Sequence, residues 1–279
     1  MSSETDTTVA AHYTTGALFE RIIAALEAAG IKPDAATASD LMAGDQFHTG
    51  GLASTEHLVR QLSVTAETKI LDVGCGIGGT SRFLADRTGA HVTGVDLTPE
   101  FIETSAALGA MVGLSGRTEY HVGSALNMPV ADDAFDLAVM MHVGMNIADK
   151  ETLFAEVART LRPGGTFALF EVMRGPEVTD LLFPLPWSSV AETSFVAPPG
   201  AYVAYAESAG FRLNRETDRS AFAADFFHEM RRRIETEGPS PFGIGLMMGD
   251  TAPEKISNYV KNLGAGRVRP TEMIFDLTS

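Results

Sequence analysis

Between residues 69 and 172, short apolar runs alternate with amphipathic segments. Runs such as "KILDVG" at 69–74 and "FDLAVMMHV" at 135–143 are typical of buried strands. In contrast, "DKETLFAEVARTL" at 149–161 places apolar residues at every third or fourth position, which predicts a helix. Strands that alternate with helices predict a parallel, doubly wound sheet with right-handed crossovers.

Seven strands are predicted in all, and the last two follow a proline-rich, irregular stretch at 174–200. The predicted strands are 69–74, 91–97, 118–125, 135–143, 166–173, 211–220 and 271–278. We expect the sixth and seventh strands to form an antiparallel hairpin at one edge of the sheet. The helical patterns between them, at about 220–265, are then an insertion.

Charge and composition exclude several classes of function. The chain has 279 residues, and its 21 basic and 36 acidic side chains give a formal net charge of −15, which disfavours nucleic acid as the main partner. Cys75 is the sole cysteine, so no intramolecular disulfide and no zinc-finger spacing is present. The polar N-terminus lacks signal-peptide features, and no apolar run is long enough to span a membrane. We therefore expect a cytoplasmic protein.

The segment "ILDVGCGIGG" at 70–79 is an apolar strand that leads into a glycine-rich turn. Gly74, Gly76 and Gly79 fit the dinucleotide pattern G-x-G-x-x-G. Asp96 ends the next predicted strand, where a carboxylate can accept hydrogen bonds from both hydroxyls of a ribose. These features suit NAD and S-adenosyl-L-methionine (SAM) equally.

Three further features distinguish the two nucleotides. Asp72 precedes the first glycine, and SAM carries an ammonium group but no phosphates. "MPVADDAFDLAVMMHV" at 128–143 places an acidic turn before a strand that ends near His142. "ARTLRPGGTFALFEV" at 158–172 adds a helix, a Pro-Gly-Gly turn and a strand. Over about 65–172 this array resembles the class I SAM-dependent methyltransferases.

A closer resemblance extends beyond this core. "GDQFHTGG" at 44–51 is similar to the segment that precedes the SAM domain in glycine, sarcosine and dimethylglycine N-methyltransferases. The core also resembles the ubiquinone and menaquinone C-methyltransferases. These families share a donor and differ in their acceptors, so the resemblance implies SAM as cofactor and S-adenosyl-L-homocysteine as product. No metal is expected.

The resemblance implies a Rossmann-like α/β fold whose seven-stranded, mostly parallel sheet has helices on both faces and an antiparallel last strand. It also implies a division of the chain. A flexible terminus at 1–15 precedes a single domain at 16–279. Within it, 16–64 form an N-terminal helical lid, 65–172 the SAM-binding core and 173–279 the acceptor-side elements.

The resemblance also implies a set of SAM contacts at the strand ends. They are Asp72, Gly74, Gly76, Gly78, Asp96, Leu97, Ser124, Ala125, Leu126 and His142. One position departs from the family pattern, because Ser124 stands where an aspartate that contacts adenine is common. Its hydroxyl or backbone remains a candidate adenine contact.

Methyl transfer is an in-line displacement that needs mainly positioning and exclusion of water. A general base helps only when the acceptor must lose a proton. His142 and Glu171 are candidates for this role at the ends of the fourth and fifth strands, with packing or backbone hydrogen bonding as the alternative for each. Gln46 and His48 in the lid are candidate acceptor contacts.

Trp187 lies in "FPLPW" at 183–187 and is a further candidate for the acceptor pocket. The function predicted is methyl transfer from SAM to oxygen or nitrogen of a small organic acceptor, largely apolar and similar to a secondary metabolite. The alternatives are C-methylation of a quinone-like or isoprenoid acceptor, an NAD-linked oxidoreductase and a non-catalytic SAM-fold protein. A small molecule is the expected partner, and the chain is expected to be a monomer or homodimer.

Overall fold

The computed structural model describes residues 17–42, 44–243 and 245–278. The predicted flexible terminus at 1–15 lies outside these ranges. Within them, the strands are β1 (Lys69–Val73), β2 (His91–Asp96), β3 (Thr118–Val122), β4 (Phe135–Met141), β5 (Leu161–Arg174), β6 (Phe211–Asp218) and β7 (Val268–Leu277).

These strands form one sheet in the order β3-β2-β1-β4-β5-β7-β6. Strands β1 to β5 run parallel to one another. β7 lies between β5 and β6 and is antiparallel to both. The order in which strands are added to the sheet reverses at β1, because β2 and β4 lie on opposite sides of it. The predicted seven-stranded, mostly parallel α/β fold is confirmed, including the antiparallel hairpin at one edge.

Helices cover both faces of the sheet and extend beyond its edge. They are α1 (Leu18–Ala28), α2 (Ala38–Met42), α3 (Leu52–Val59), α4 (Gly79–Thr88), α5 (Pro99–Met111), α6 (Lys150–Thr160), α7 (Pro199–Ser208), α8 (Ser220–Glu237), α9 (Gly245–Met248) and α10 (Ala252–Gly264). The first three precede the sheet, and α8 to α10 lie between β6 and β7. The division into lid, core and acceptor-side elements stays a prediction.

The largest hydrophobic cluster lies between the sheet and helices α6 and α7. Phe154 of α6 is fully buried, as the helical pattern predicts. Its ring meets the rings of Phe167 and Phe275 edge-on, with centroids 5.6 and 6.0 Å apart. Tyr202 of α7 packs on the same ring at 6.1 Å. This aromatic packing joins the parallel strands to the antiparallel hairpin.

Two segments differ from the predicted elements. β5 begins at Leu161, which pairs with Phe135, and the ladder shifts register before Thr166 pairs with Leu137. Gly164 has φ 78°, a conformation that glycine adopts without strain, so the turn becomes an irregularity inside a longer strand. The segment 238–250 is predicted as a loop from its glycines and prolines, but 245–251 are helical, with Leu246 and Met247 packed against the cluster that contains Leu18 and Ile22 of α1.

None of the helices within the described ranges is both long enough and apolar enough to cross a membrane.

The Phe154→Ala substitution tests the aromatic junction. We expect it to lower the free energy of unfolding by about 3–5 kcal/mol, because it leaves a cavity among rings that cannot all collapse into it. Urea denaturation measures the change. Val122→Ala at an exposed position is the control and should change stability by less than about 0.5 kcal/mol. A similarly small loss for Phe154→Ala would contradict this account of the core.

Candidate functional site

The carboxyl ends of β1 to β4 open into a cavity of about 1650 Å³. This volume exceeds the roughly 300–1,000 Å³ of a typical pocket for one drug-sized ligand, so two ligands can lie side by side. Of the predicted site residues, those that line it are Gln46, His48, Asp72, Gly74, Gly76, Asp96, Leu97, Ser124, Ala125, Leu126, His142 and Trp187. Gly78 and Glu171 are outside the lining.

The glycine-rich turn after β1 forms one wall of the cavity. Gly74 and Gly76 have φ 69° and 55°, which glycine adopts at little cost. A β-carbon at Gly74 would collide with the side chain of Val143. A β-carbon at Gly76 would meet nothing within 4 Å, so this backbone faces open space. The turn therefore exposes bare backbone to whatever occupies the cavity.

Backbone groups orient the carboxylate of Asp96 at the end of β2. Its Oδ2 accepts a hydrogen bond from the N–H of Gly76 at 3.0 Å, and its Oδ1 accepts one from the N–H of Thr98 at 2.9 Å. Burial raises the pKa of Asp96, while these backbone donors oppose the rise. Each oxygen retains a lone pair for a ligand hydroxyl.

Asp72 is the second carboxylate at this edge of the sheet. Its Oδ2 accepts a hydrogen bond of 2.6 Å from the hydroxyl of Ser81 on α4. Burial raises the pKa of Asp72 to about 7. A positively charged ligand group beside it would favour the ionised form.

The segment after β3 forms a tight turn at the cavity wall, where Ser124 and Asn127 make an isolated bridge. The N–H of Leu126 donates to the hydroxyl oxygen of Ser124 at 3.3 Å. The Leu126 N–H is therefore already used, which leaves the N–H of Ala125 and the Ser124 hydroxyl proton as donors for a ligand.

A buried ion pair holds the 44–51 segment over the glycine turn. The Arg82 guanidinium of α4 donates to Asp45 Oδ2 at 2.7 Å, and both side chains are fully inaccessible to solvent. Arg82 also donates to the carbonyl of Ile77 at 2.6 Å. Because a β-carbon at Gly79 would collide with the Asp45 carbonyl, glycine is needed there for the close approach. We call residues 44–51 the roof segment.

The roof segment reaches His142 through Thr49. His142 Nδ1 lies 3.0 Å from the carbonyl oxygen of Phe170, so Nδ1 carries the proton. Nε2 is then the acceptor for the Thr49 N–H at 3.2 Å and the Thr49 hydroxyl at 2.9 Å. The Thr49 hydroxyl also lies 2.9 Å from the hydroxyl of Tyr259 on α10. Burial lowers the pKa of His142 to about 4.

His48 lies beside His142, with ring centroids 6.0 Å apart. Its Nε2 is 3.1 Å from the carbonyl of Gly51 and 2.9 Å from the hydroxyl of Thr55, which itself donates to Gln46 Oε1. Nε2 therefore carries the proton. Burial, together with the neighbouring His142, lowers the pKa of His48 to about 3. Both rings are neutral at pH 7.

Two predicted site residues occupy other positions. Glu171 is fully buried, and its Oε1 accepts a hydrogen bond of 2.8 Å from the N–H of Val143. It supports the loop that follows His142 and does not face the cavity, because alternate strand residues point to opposite faces. Gly78 has φ 77° and packs against Tyr120 and Arg82. A glycine at this position allows the side chains of Tyr120 and Arg82 to pack close to the backbone, and it does not line the cavity.

Trp187, which the sequence predicts as part of the acceptor pocket, lines the cavity. Its indole N–H donates to the Ser194 hydroxyl at 2.9 Å, and its ring meets that of Tyr259 edge-on at 5.7 Å. Several apolar side chains from the insertion continue this wall. We use the term apolar chamber for the part of the cavity lined by Trp187, Phe226, Phe227, Met230, Met247, Met248 and Ile256.

Sequence reasoning missed the residues that connect these parts. Arg82 lies in α4, a helix of mixed polar and apolar residues, so the sequence gives no local sign that its side chain is buried. Thr49 lies in the glycine-rich roof segment, and Tyr259 lies on the apolar face of an amphipathic helix. Neither of these two carries a local sign of its contact. Throughout the described ranges, no group of three or more histidine, cysteine, aspartate or glutamate side chains is placed to hold a metal ion.

Comparison with known proteins bears on this geometry. Residues 71–169, from β1 to β5, match the family described as a methyltransferase domain. This segment therefore forms a methyltransferase domain. The resemblance predicted from the sequence is confirmed for this segment.

Two relatives match the methyltransferase domain over part of their own length. Methyltransferase GfsG of Streptomyces halstedii is 34% identical over 129 residues, 46% of this chain and 46% of that protein. A probable tocopherol O-methyltransferase of Oryza sativa is 44% identical over 95 residues, 34% of this chain and 26% of that protein. Each alignment thus spans less than half of the relative's length.

A solved structure supports the fold over more of the chain. Phosphoethanolamine N-methyltransferase 2 of Haemonchus contortus, in complex with S-adenosyl-L-methionine, matches with a TM-score of 0.70 and 19% sequence identity. The match covers 86% of this chain and 56% of that one. At this identity the likeness shows the fold alone.

The protonation state of His142 is directly testable. We expect its ring to remain neutral and protonated on Nδ1 down to about pH 5.5, because burial lowers its pKa to about 4. Long-range ¹H–¹⁵N correlation spectra of the ¹⁵N-histidine-labelled protein report the tautomer. A histidine in a short peptide is the reference and should titrate near about 6.5. A ring that is protonated on both nitrogens at pH 6 would contradict the proposed hydrogen bonds.

Proposed function

We propose that this protein transfers the methyl group of SAM to oxygen or nitrogen of a small, largely apolar organic acceptor. One observation carries the proposal. A single cavity joins the glycine turn and its two carboxylates, Asp72 and Asp96, to the apolar chamber. A nucleoside donor and an apolar acceptor can therefore meet inside one shared space, which holds the two reactants close together.

The residues around the glycine turn fit SAM. Asp96 has oxygens free to accept from the ribose hydroxyls, and Asp72 suits the ammonium group of the methionine part. Gly76 presents backbone that a ligand can approach closely. The adenine contacts would come from Leu97 and from the turn after β3. That turn would supply the Ser124 hydroxyl, the Ala125 N–H and the apolar side chain of Leu126.

Charge also supports a cationic donor. When bound, SAM supplies a methyl group on a positively charged sulfur. The two histidines on this side of the cavity are neutral because burial lowers both pKa values. Neutral rings add no repulsion against a cation, whereas protonated rings would repel it.

The roof segment determines what His142 can do. Thr49 occupies the Nε2 lone pair, so the ring orients Thr49 and Tyr259 in this conformation. An acceptor hydroxyl or amine that displaces Thr49 would meet a neutral imidazole able to take a proton. His142 is therefore our candidate base for an acceptor that must be deprotonated. His48, Gln46 and Trp187 would contact the acceptor from the roof and the wall.

Several further expectations accompany this proposal. The small-molecule acceptor is the expected partner, and the cytoplasmic location and monomeric or homodimeric state stay predictions. C-methylation of an isoprenoid or quinone-like acceptor is the nearest alternative, because the apolar chamber suits such molecules as well.

Asp96→Ala tests the donor site. We expect SAM affinity to fall by about 1–3 kcal/mol in isothermal titration calorimetry, because the variant loses a charged acceptor for two hydroxyls. Asp86→Ala on the outer face of α4 is the matched control and should bind SAM like the wild type. The same titration with NADH tests the oxidoreductase alternative. Binding of NADH without binding of SAM would refute the proposal.

His142→Ala tests the reacting end. Once a panel of phenols, amines, carboxylates, quinols and prenyl alcohols identifies an acceptor, we expect turnover to fall by about 10²–10⁴-fold if the acceptor must lose a proton. SAM affinity should change much less. His228→Ala at an exposed position of α8 is the control. Equal turnover would show that His142 is structural, and tight SAM binding with no methylated product would favour a non-catalytic protein.

A further inference from the structure

Lys255 is a mostly buried lysine whose ammonium has no partner among the described residues. It lies in the first turns of α10 and is 8% exposed, and it belongs to the cavity lining. Its ammonium makes no hydrogen bond, ion pair or cation–π contact with any residue that the structure describes. The ammonium is not among the solvent-inaccessible polar atoms that lack a partner, so it is open to the cavity and available to a ligand.

Most other charged side chains in the cavity lining have partners, and the two without a hydrogen bond or ion pair to a described residue, Arg233 and Glu237, are exposed to solvent. Asp45 pairs with Arg82, and Arg21 donates to the carbonyl of Leu246. Asp149 accepts from the N–H of Thr152 at the start of α6. Burial lowers the pKa of the Lys255 ammonium, and no acidic neighbour offsets this effect. Lys255 is therefore set apart from the rest of the lining.

Lys255 lies on the same helix as Tyr259, which is hydrogen-bonded through Thr49 to His142. It precedes Tyr259 by four residues, so both lie on the same face of α10. Tyr259 is tied to Thr49 and through it to His142. The rings of Trp187 and Phe227 pack edge-on against Tyr259, at 5.7 and 5.3 Å. The ammonium thus lies in an apolar wall one helical turn from the hydrogen-bonded chain at His142.

We propose that Lys255 anchors an anionic oxygen group, such as a carboxylate, phosphate or sulfate, carried by an otherwise apolar acceptor. This inference rests on the proposed function and narrows the acceptor to an amphiphilic acid. The apolar chamber takes the body of the molecule, and the ammonium compensates for the hydration that the anion loses on leaving water. In a low-dielectric wall this attraction is far stronger than at the surface. The anchored end then fixes which atom of the acceptor faces the donor.

A pair of fluorescent probes that differ only in charge tests this inference. 8-Anilinonaphthalene-1-sulfonate is anionic, and N-phenyl-1-naphthylamine is its neutral counterpart. Both brighten in apolar surroundings. Trp187 is the only tryptophan in the chain and lines the apolar chamber, so quenching of its emission reports a probe bound there. Titrations are made with S-adenosyl-L-homocysteine at saturation, so that the donor part is filled.

We expect the wild type to bind the anionic probe more tightly than the neutral one. Lys255→Met should lower the affinity for the anionic probe by about tenfold to hundredfold and change the affinity for the neutral probe by less than about twofold. The substitution removes the charged partner and keeps an apolar side chain of similar length. Lys255→Arg should restore most of the preference. Lys261→Met, at an exposed position of the same helix, is the matched control and should bind both probes as the wild type does.

Equal affinity of the wild type for both probes would overturn the inference. An equal loss of affinity for both probes in Lys255→Met would also overturn it, since that pattern indicates a change in the shape of the cavity. Decanoate and decyl phosphate, with decan-1-ol as the neutral control, then compete with the bound probe. Failure of both anions to displace it better than the alcohol would also overturn the inference. The donor titration separates the two proposals. A wild type that does not bind SAM refutes the function, whereas a wild type that binds SAM but shows no preference for the anionic probe refutes only the role of Lys255.

Discussion

The ion pair between Arg82 and Asp45 is the contact on which the rest of the site depends. Both side chains are inaccessible to solvent, and removal of either would leave an uncompensated buried charge at a cost of about 3–5 kcal/mol. Through this ion pair, α4 holds the roof segment in a fixed position above the glycine turn. Without that constraint, Thr49 would have no defined position above His142, and the cavity would lose one wall.

The closed roof explains the electrostatic character of the cavity. Water exclusion disfavours charge on His48 and His142, so both rings remain neutral. The same exclusion raises the pKa of Asp72 and Asp96. A bound cation would therefore stabilise the ionised carboxylates of Asp72 and Asp96, whereas the neutral histidines neither attract nor repel it. This asymmetry fits a donor with two positive groups, an ammonium and a sulfonium.

Much of the fold could be predicted from the sequence because its signals are local. The alternation of apolar runs and amphipathic helices predicts the parallel sheet, and the glycines and Asp96 mark the strand ends where ligands bind. Contacts between distant side chains have no such signal. The Asp45 pairing spans 37 residues and the Thr49–Tyr259 contact spans 210. The inward direction of Glu171 depends on the pleat of β5, which shifts register near its start.

The chain of hydrogen bonds from Tyr259 through Thr49 to His142 has a consequence for the whole molecule. It joins a residue near the N-terminus, one from the central sheet and one close to the C-terminus. A compound that fills the chamber against these three groups would act as a non-covalent cross-link between the two ends of the chain. Since such a compound binds the folded state and not the unfolded one, its occupancy contributes to the cohesion of the entire protein.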